Sequence, residues 1–222
     1  MLALSGGLCY LSGMKESYHI CFTSHEEVLF RDAQDHGMFV NLMALRCFAE
    51  GAEILADAQM STHVHMNIFT RAPMHFASNL RLSYTRYFNT KYGRKGRFGQ
   101  KYTFLLPVQG HVHQMVLQNY ILRNGLHHGA APTALGYPFC SARELFTEDI
   151  GLQKEKAAPL SRPDMASFLP RHAEFPDEYR MNEDGVFLRS SFMEIRKAEQ
   201  YYVSPRNYLY QMNRLKIGRA HV

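Results

Sequence analysis

Two hydrophobic periods alternate between residues 17 and 124, and that alternation constrains the fold more than any other feature of the chain. Residues 17–24 (Ser-Tyr-His-Ile-Cys-Phe-Thr-Ser) read as a strand. Residues 31–50 carry Phe39, Leu42, Met43 and Phe48 at helical spacing and read as a helix. Residues 53–59 and 63–70 read as two strands joined by a link of hairpin length. A second helix is expected over 75–92, with Phe76, Leu80, Tyr84, Tyr87 and Phe88 towards the core. Residues 101–108 read as a fourth strand, and Gly110 opens a third helix. The order β-α-β-β-α-β-α predicts an α+β, ferredoxin-like sandwich: an antiparallel β-sheet with helices on one face.

After Tyr137-Pro138 the composition changes. Acids return, and prolines stand at 159, 163, 170, 176 and 205. Residues 165–181 look irregular, 185–202 look helical, and 208–217 suggest a short helix. The chain therefore divides into a domain over 14–150 and a partly helical C-terminal extension over 151–222. Its 222 residues, 46% hydrophobic, suffice for one core plus such an extension. No apolar run approaches the length that spans a membrane. The first 13 residues lack the basic start and long apolar centre of a secretory signal, and Met14-Lys15-Glu16 is a plausible natural start. Cys9, Cys21, Cys47 and Cys140 are dispersed with no C-x-x-C pair, as expected of reduced thiols in the cytoplasm.

Net charge is +5, but its distribution matters more. Residues 58–143 contain no Asp or Glu, where average usage predicts roughly eight. The same window holds Arg71, Arg81, Arg86, Lys91, Arg94, Lys95, Arg97, Lys101, Arg123 and Arg143. A solvated basic face normally interleaves Glu to form ion pairs. Its absence points to a polyanion, and Arg81, Arg86, Lys91, Arg94, Lys95, Arg97, Lys101 and Arg123 are the candidate DNA contacts. The end of the chain, with Arg206, Tyr208, Tyr210 and Arg214, is either a second nucleic-acid contact or an appendage docked on the first domain.

His63-Val64-His65 opens the third strand. Alternate residues of a strand share a face, so the two imidazoles project together and can hold a divalent cation with its other positions open. With 12 histidines in the chain, chance supplies a His-x-His in about every other sequence of this composition. His111-Val112-His113 shows the point: it opens a helix, where residues i and i+2 diverge by about 200° and cannot chelate together. In the third helix, Tyr120 and Asn124 stand four apart on one face. His113 and His127 fall near that face if the helix runs past Gly125. A tyrosine in an apolar helix reads, alone, as a core residue with a satisfied hydroxyl.

Together these motifs resemble a known family. Met60-Ser61-Thr62-His63-Val64-His65 looks like the His-hydrophobic-His (HUH) signature of single-tyrosine transposases. Asn119-Tyr120-Ile121-Leu122-Arg123-Asn124-Gly125-Leu126 resembles their tyrosine helix, and residues 97–102 and Tyr137-Pro138…Ser141 resemble further segments. The nearest subgroup is the REP-associated tyrosine transposases, with Asn four residues after the tyrosine. The likeness covers about residues 18–146. It departs at Ser61-Thr62, where the family commonly has Pro-Asn, and at Asn124-Gly125, where it often has Asn-Pro.

The resemblance implies a metal-dependent endonuclease and strand transferase acting on single-stranded DNA with hairpin or palindromic elements. Tyr120 would be the nucleophile and form a 5′-phosphotyrosine. His63, His65 and Asn124 would hold Mg²⁺ or Mn²⁺; an amide oxygen suits a window without carboxylates. His113, His127 and His128 are secondary candidates for proton transfer, each as readily structural or a DNA contact. A nucleoid-associated, cytoplasmic protein is expected, monomeric or homodimeric. Two other readings stand: a non-catalytic nucleic-acid module derived from a transposase, and a phosphodiesterase using metal-activated water.

Overall fold

A computed structural model describes residues 14–24, 28–97, 99–100, 102–170 and 175–214. Four strands, β1 (Glu16–Thr23), β2 (Glu53–Met60), β3 (His63–Thr70) and β4 (Phe104–Pro107), form one sheet in the order β2-β3-β1-β4. Every neighbouring pair is antiparallel. The fourth strand is shorter than the sequence suggests; Lys101 lies outside the described residues.

Two long helices, α1 (Ala33–Glu50) and α2 (Pro73–Tyr92), cover one face. The local sequence sets their ends. Asp32 caps α1 by accepting from the Asp35 N–H at 2.9 Å. Gly51 ends it at φ 60°, a left-handed position that costs other residues strain. Pro73 starts α2, where a missing N–H is harmless. Phe76, Leu80, Tyr84 and Phe88 recur every four residues as a buried stripe. They meet Ile20 and Phe22 of β1 and Val64, Met66 and Ile68 of β3 in one apolar core.

The expectation of helices on one face describes α1 and α2; α3 (Gly110–Leu122) crosses the other. The reason is that β3 alternates. Val64, Met66 and Ile68 satisfy the α1/α2 core, which leaves His63, His65 and Asn67 pointing at α3. The third helix also ends sooner than its pattern suggests. Arg123 breaks the α-geometry, and a separate turn, α4 (Asn124–His127), follows. A Cβ on Gly125 would lie 2.3 Å from Tyr137 Cγ, so only glycine lets this turn settle on Tyr137.

In β2 the register shifts between Ile54 and Ala56, so Leu55 is an extra residue. Ile54 faces α1, whereas Ala56, Ala58 and Met60 pair with Asn67, His65 and His63 on the α3 side. Asp57 and Gln59 consequently turn towards α1. There, Arg189 grips the fully buried Asp57 through two bonds of 2.9 Å.

Arg189 belongs to the C-terminal extension, which contributes to both cores. Phe175, Tyr179, Phe187 and Phe192 join the α1/α2 side; Ala198, Tyr202, Tyr208 and Met212 join the α3 side. Three short helices lie here: α5 (Arg162–Ser167), α6 (Ile195–Glu199) and α7 (Pro205–Asn213). The helix expected over 185–202 is not continuous. Met181 pairs with Phe187 as an isolated bridge, and a 3₁₀ turn over Arg189–Ser191 aims Arg189 at Asp57.

Candidate functional site

The floor of the site is β1 and β3, and its roof is α3 with α4. His63 Nε2 stands 2.9 Å from Asn124 Oδ1, and the Tyr120 hydroxyl stands 3.4 Å from His65 Nε2. The four residues singled out in the sequence thus meet across the sheet–helix boundary. Helical spacing places Tyr120 and Asn124 on one side of the roof; strand alternation places both imidazoles beneath them.

A closed polar ring fixes how α3 sits on the sheet. Ser17 Oγ donates to Gln114 Oε1 at 2.7 Å, Gln114 Nε2 donates to Asn67 Oδ1, and Asn67 Nδ2 donates to Ser17 Oγ at 3.1 Å. Deeper still, His19 of β1 is buried, and its Nε2 lies 2.9 Å from His65 Nδ1. Sequence reasoning missed Ser17, His19, Asn67 and Gln114. Their signal was available: Ser17, His19, Cys21 and Thr23 alternate along β1 as His63, His65 and Asn67 do along β3.

Burial, then the neighbouring His19, His63 and His128, hold the His65 pKa well below that of a free imidazole. Burial also lowers His63, with the Asn124 hydrogen bond acting in the opposite sense. Both rings therefore favour the neutral form, in which His63 Nε2 carries the proton that the Asn124 oxygen accepts; a cation bound there would have to displace that proton. Burial raises the Tyr120 phenol above its usual value, and Cys21 raises it further; the Asn124 side chain partly offsets both.

Two imidazole nitrogens and an amide oxygen form a mixed donor set, which suits a borderline divalent ion such as Mn²⁺ better than Mg²⁺. Two adjacent ligands about 2.1 Å from an octahedral Mg²⁺ stand roughly 3.0 Å apart. His63 Nε2 and Asn124 Oδ1 already have that separation, 2.9 Å. Among the described residues no group of three His, Cys, Asp or Glu side chains is arranged to hold a metal. A cation here would therefore rely on the Asn124 amide oxygen.

The other histidines separate clearly. His128 packs its ring 4.8 Å from that of His63. His127 is exposed and touches His128 instead. His113 is exposed, accepts from the Gln109 N–H at 3.3 Å, and lies near enough to His19 to lower that residue's pKa.

The basic residues also divide. Arg123 immediately precedes Asn124 and is buried. Arg94 partners Asn89, while Lys95 and Arg97 are exposed in the loop after α2. Arg81 ties α2 to the segment before β4 through Thr103 Oγ1 and the Gln100 carbonyl. Arg86 lines a groove on the α1/α2 side, away from Tyr120. Lys91 is held by Asp32 and Asp35, each at 2.8 Å.

An antiparallel α+β sandwich with an open His-x-His on its central strand and a tyrosine helix above it defines a class by fold and site. The sequence matches no protein-family model and no curated protein. The fold matches a REP-associated tyrosine transposase solved bound to a REP hairpin, with a TM-score of 0.52 at 13% identity. The match covers 67% of this chain and 88% of that one. The likeness is one of fold, and it agrees with the resemblance read from the motifs. No helix among the described residues is long and apolar enough to cross a membrane.

Proposed function

We propose that this chain is a transposase-like enzyme that cleaves single-stranded DNA carrying hairpin or palindromic elements and can rejoin it. The observation that carries the reading is the convergence of the Tyr120 hydroxyl, His63, His65 and the Asn124 amide oxygen where the tyrosine helix crosses the sheet. The fold neighbour's bound hairpin supports the same class of substrate.

His63, His65 and Asn124 would hold Mg²⁺ or Mn²⁺, which supplies Lewis-acid polarisation of the scissile phosphate when bound. Tyr120 is then aligned to attack phosphorus. A Tyr120 O–P bond forms as the P–O3′ bond breaks; the phenolic proton is lost, and the departing 3′ oxygen takes one up. The resulting 5′-phosphotyrosine conserves the phosphodiester energy, so rejoining needs no nucleotide cofactor. The polar ring of Ser17, Asn67 and Gln114 holds the tyrosine helix in register. Lys95 and Arg97 supply phosphate contacts from an exposed loop, with Arg94 beside them.

The test is incubation of the full chain with hairpin oligonucleotides and Mn²⁺, followed by a denaturing gel. Wild type gives a covalent adduct and Tyr120→Phe gives none. An adduct that survives in Tyr120→Phe, or none from wild type across a broad hairpin panel, overturns the proposal. Salt-dependent binding without an adduct would indicate a non-catalytic module.

A further inference from the structure

Alongside the tyrosine helix the C-terminal extension carries a second basic and aromatic surface. Residues 200–222 contain no Asp or Glu. Within them α7 packs against α3 through its buried Tyr208 and Met212. The outer side of α7 presents Arg206 and Tyr210, and Arg214 follows directly at the helix end; all three are exposed. Tyr210 is 62% exposed, and the Arg214 guanidinium lies 5.7 Å from its ring centre. The extension is fastened to the catalytic helix by the Tyr202 hydroxyl, which donates to Asn119 Oδ1 at 3.0 Å, and by Tyr201 against the His111 ring.

Asn119 and Arg123 share one helical face, so Arg123 points towards this extension while Tyr120 and Asn124 face the histidines. Arg123 is only 3% exposed, its Nε has no hydrogen-bond partner, and no carboxylate pairs with it among the described residues. The charge that acts on it from the extension is another cation, Arg214. Glu199 of the extension accepts from the Phe146 N–H at 2.6 Å. A buried guanidinium whose Nε lacks a partner, beside a second cation, is costly unless an anion arrives. A stackable tyrosine between two arginines adds the other half of single-strand recognition, a π-face for a base.

We infer that the outer side of α7, with Arg206, Tyr210 and Arg214, together with Arg123 beneath it, binds the single-stranded DNA flanking the hairpin, its phosphates on the arginines and a base on Tyr210. This rests on the proposed DNA substrate but not on cleavage.

The test uses the full chain carrying Tyr120→Phe, so that binding is read without adduct formation. Fluorescence anisotropy compares a blunt hairpin with the same hairpin bearing single-stranded flanks of roughly ten nucleotides on either side. Adding Arg206→Glu and Tyr210→Ala should weaken binding of the flanked hairpin about tenfold, leave the blunt hairpin within about twofold, and flatten the salt dependence by about one phosphate. Both residues are exposed, so the melting temperature should not move. Unchanged affinity for the flanked hairpin, an equal loss for both oligonucleotides, or no binding of either by the parent overturns the inference. If the double variant loses the flank preference while wild-type protein forms no adduct, the cleavage proposal fails and this surface stands.

Discussion

The two faces of the sheet are built from the same strands and share almost nothing else. Towards α1 and α2, β3 presents Val64, Met66 and Ile68 into a dry core of rings and aliphatic chains. Towards α3, the intervening His63, His65 and Asn67 meet hydroxyl, amide, imidazole and phenol groups. Strand alternation thus lets one segment carry both scaffold and chemistry, one residue apart. Stability should therefore reside on one face and reactivity on the other, and neighbouring substitutions in β3 should separate the two.

The sharpest break would come from adjacent residues. His65→Ala should abolish adduct formation, a loss of three or more orders of magnitude, because it removes a proposed ligand. Met66→Ala should cost about 2–5 kcal/mol of stability through the cavity it leaves. It should leave Mn²⁺ binding intact below its lowered melting temperature. A Met66→Ala protein that folds stably but binds no Mn²⁺ would show that the faces are coupled.

Asp57 sits on the core face by virtue of the β2 bulge. Arg189→Ala strands its carboxylate in a buried site, and a loss of about 3–5 kcal/mol is expected in urea unfolding. The paired replacement Asp57→Leu with Arg189→Leu should recover most of that. Equal destabilisation by the single and paired variants would show that the ion pair itself, and not the relief of a lone charge, matters.

How far the sequence discloses this arrangement depends on the element. The bounds of β3 were legible because polar and apolar residues alternate from His63 to Ile68, with turn residues before and a proline soon after. Tyr120 and Asn124 were legible because helical spacing fixes their common face. The bulge at Leu55 was not, since an extra residue in an apolar run leaves no mark on the pattern. The end of α3 was hidden for a different reason: Gly125 answers to Tyr137, a contact across the fold. Residues 185–202 read as a helix because Leu188, Phe192 and Ile195 stand at i, i+4 and i+7, although a β-bridge at Phe187 and a 3₁₀ turn over Arg189–Ser191 interrupt the segment. Arg189 carried no signal of its buried partner 132 positions away.

Acid should weaken the core face in a predictable direction. His36 is buried between Phe30 and Phe139, whose rings stack on it at 4.4 and 3.6 Å, and burial lowers its pKa to about 4. Gln59, Asp35 and Asp32 pull the other way, while Arg189 adds to the lowering. The unfolded chain, with a histidine pKa near 6.5, binds this proton first. The contribution is therefore complete above about pH 6.5 and is lost as pH falls towards 4, by at most about 3 kcal/mol. Urea melts at about pH 7 and about pH 4.5 measure it. His36→Phe should make the profile shallower, the remaining slope belonging to His19, His63 and His65; an unchanged slope would remove His36 as a source.

The smallest effect expected lies where the reactive face meets its support. For His65 to offer Nε2 to a cation, its proton must sit on Nδ1, and the partner placed there among the described residues is His19 Nε2 at 2.9 Å. Burial lowers the His19 pKa to about 4, so its ring is neutral and Nε2 is able to accept. His19 then acts as a positioning residue, fixing the tautomer and orientation of His65. His19→Phe keeps the bulk and removes the acceptor, and should weaken Mn²⁺ binding by about 10- to 100-fold. His19→Gln returns an acceptor to nearly the same point and should restore most of the affinity. Titration with Mn²⁺ followed by electron paramagnetic resonance reads this without any DNA. If Phe and Gln weaken binding equally, His19 contributes packing alone, and the boundary between the two faces lies closer to His65 than this hydrogen bond implies.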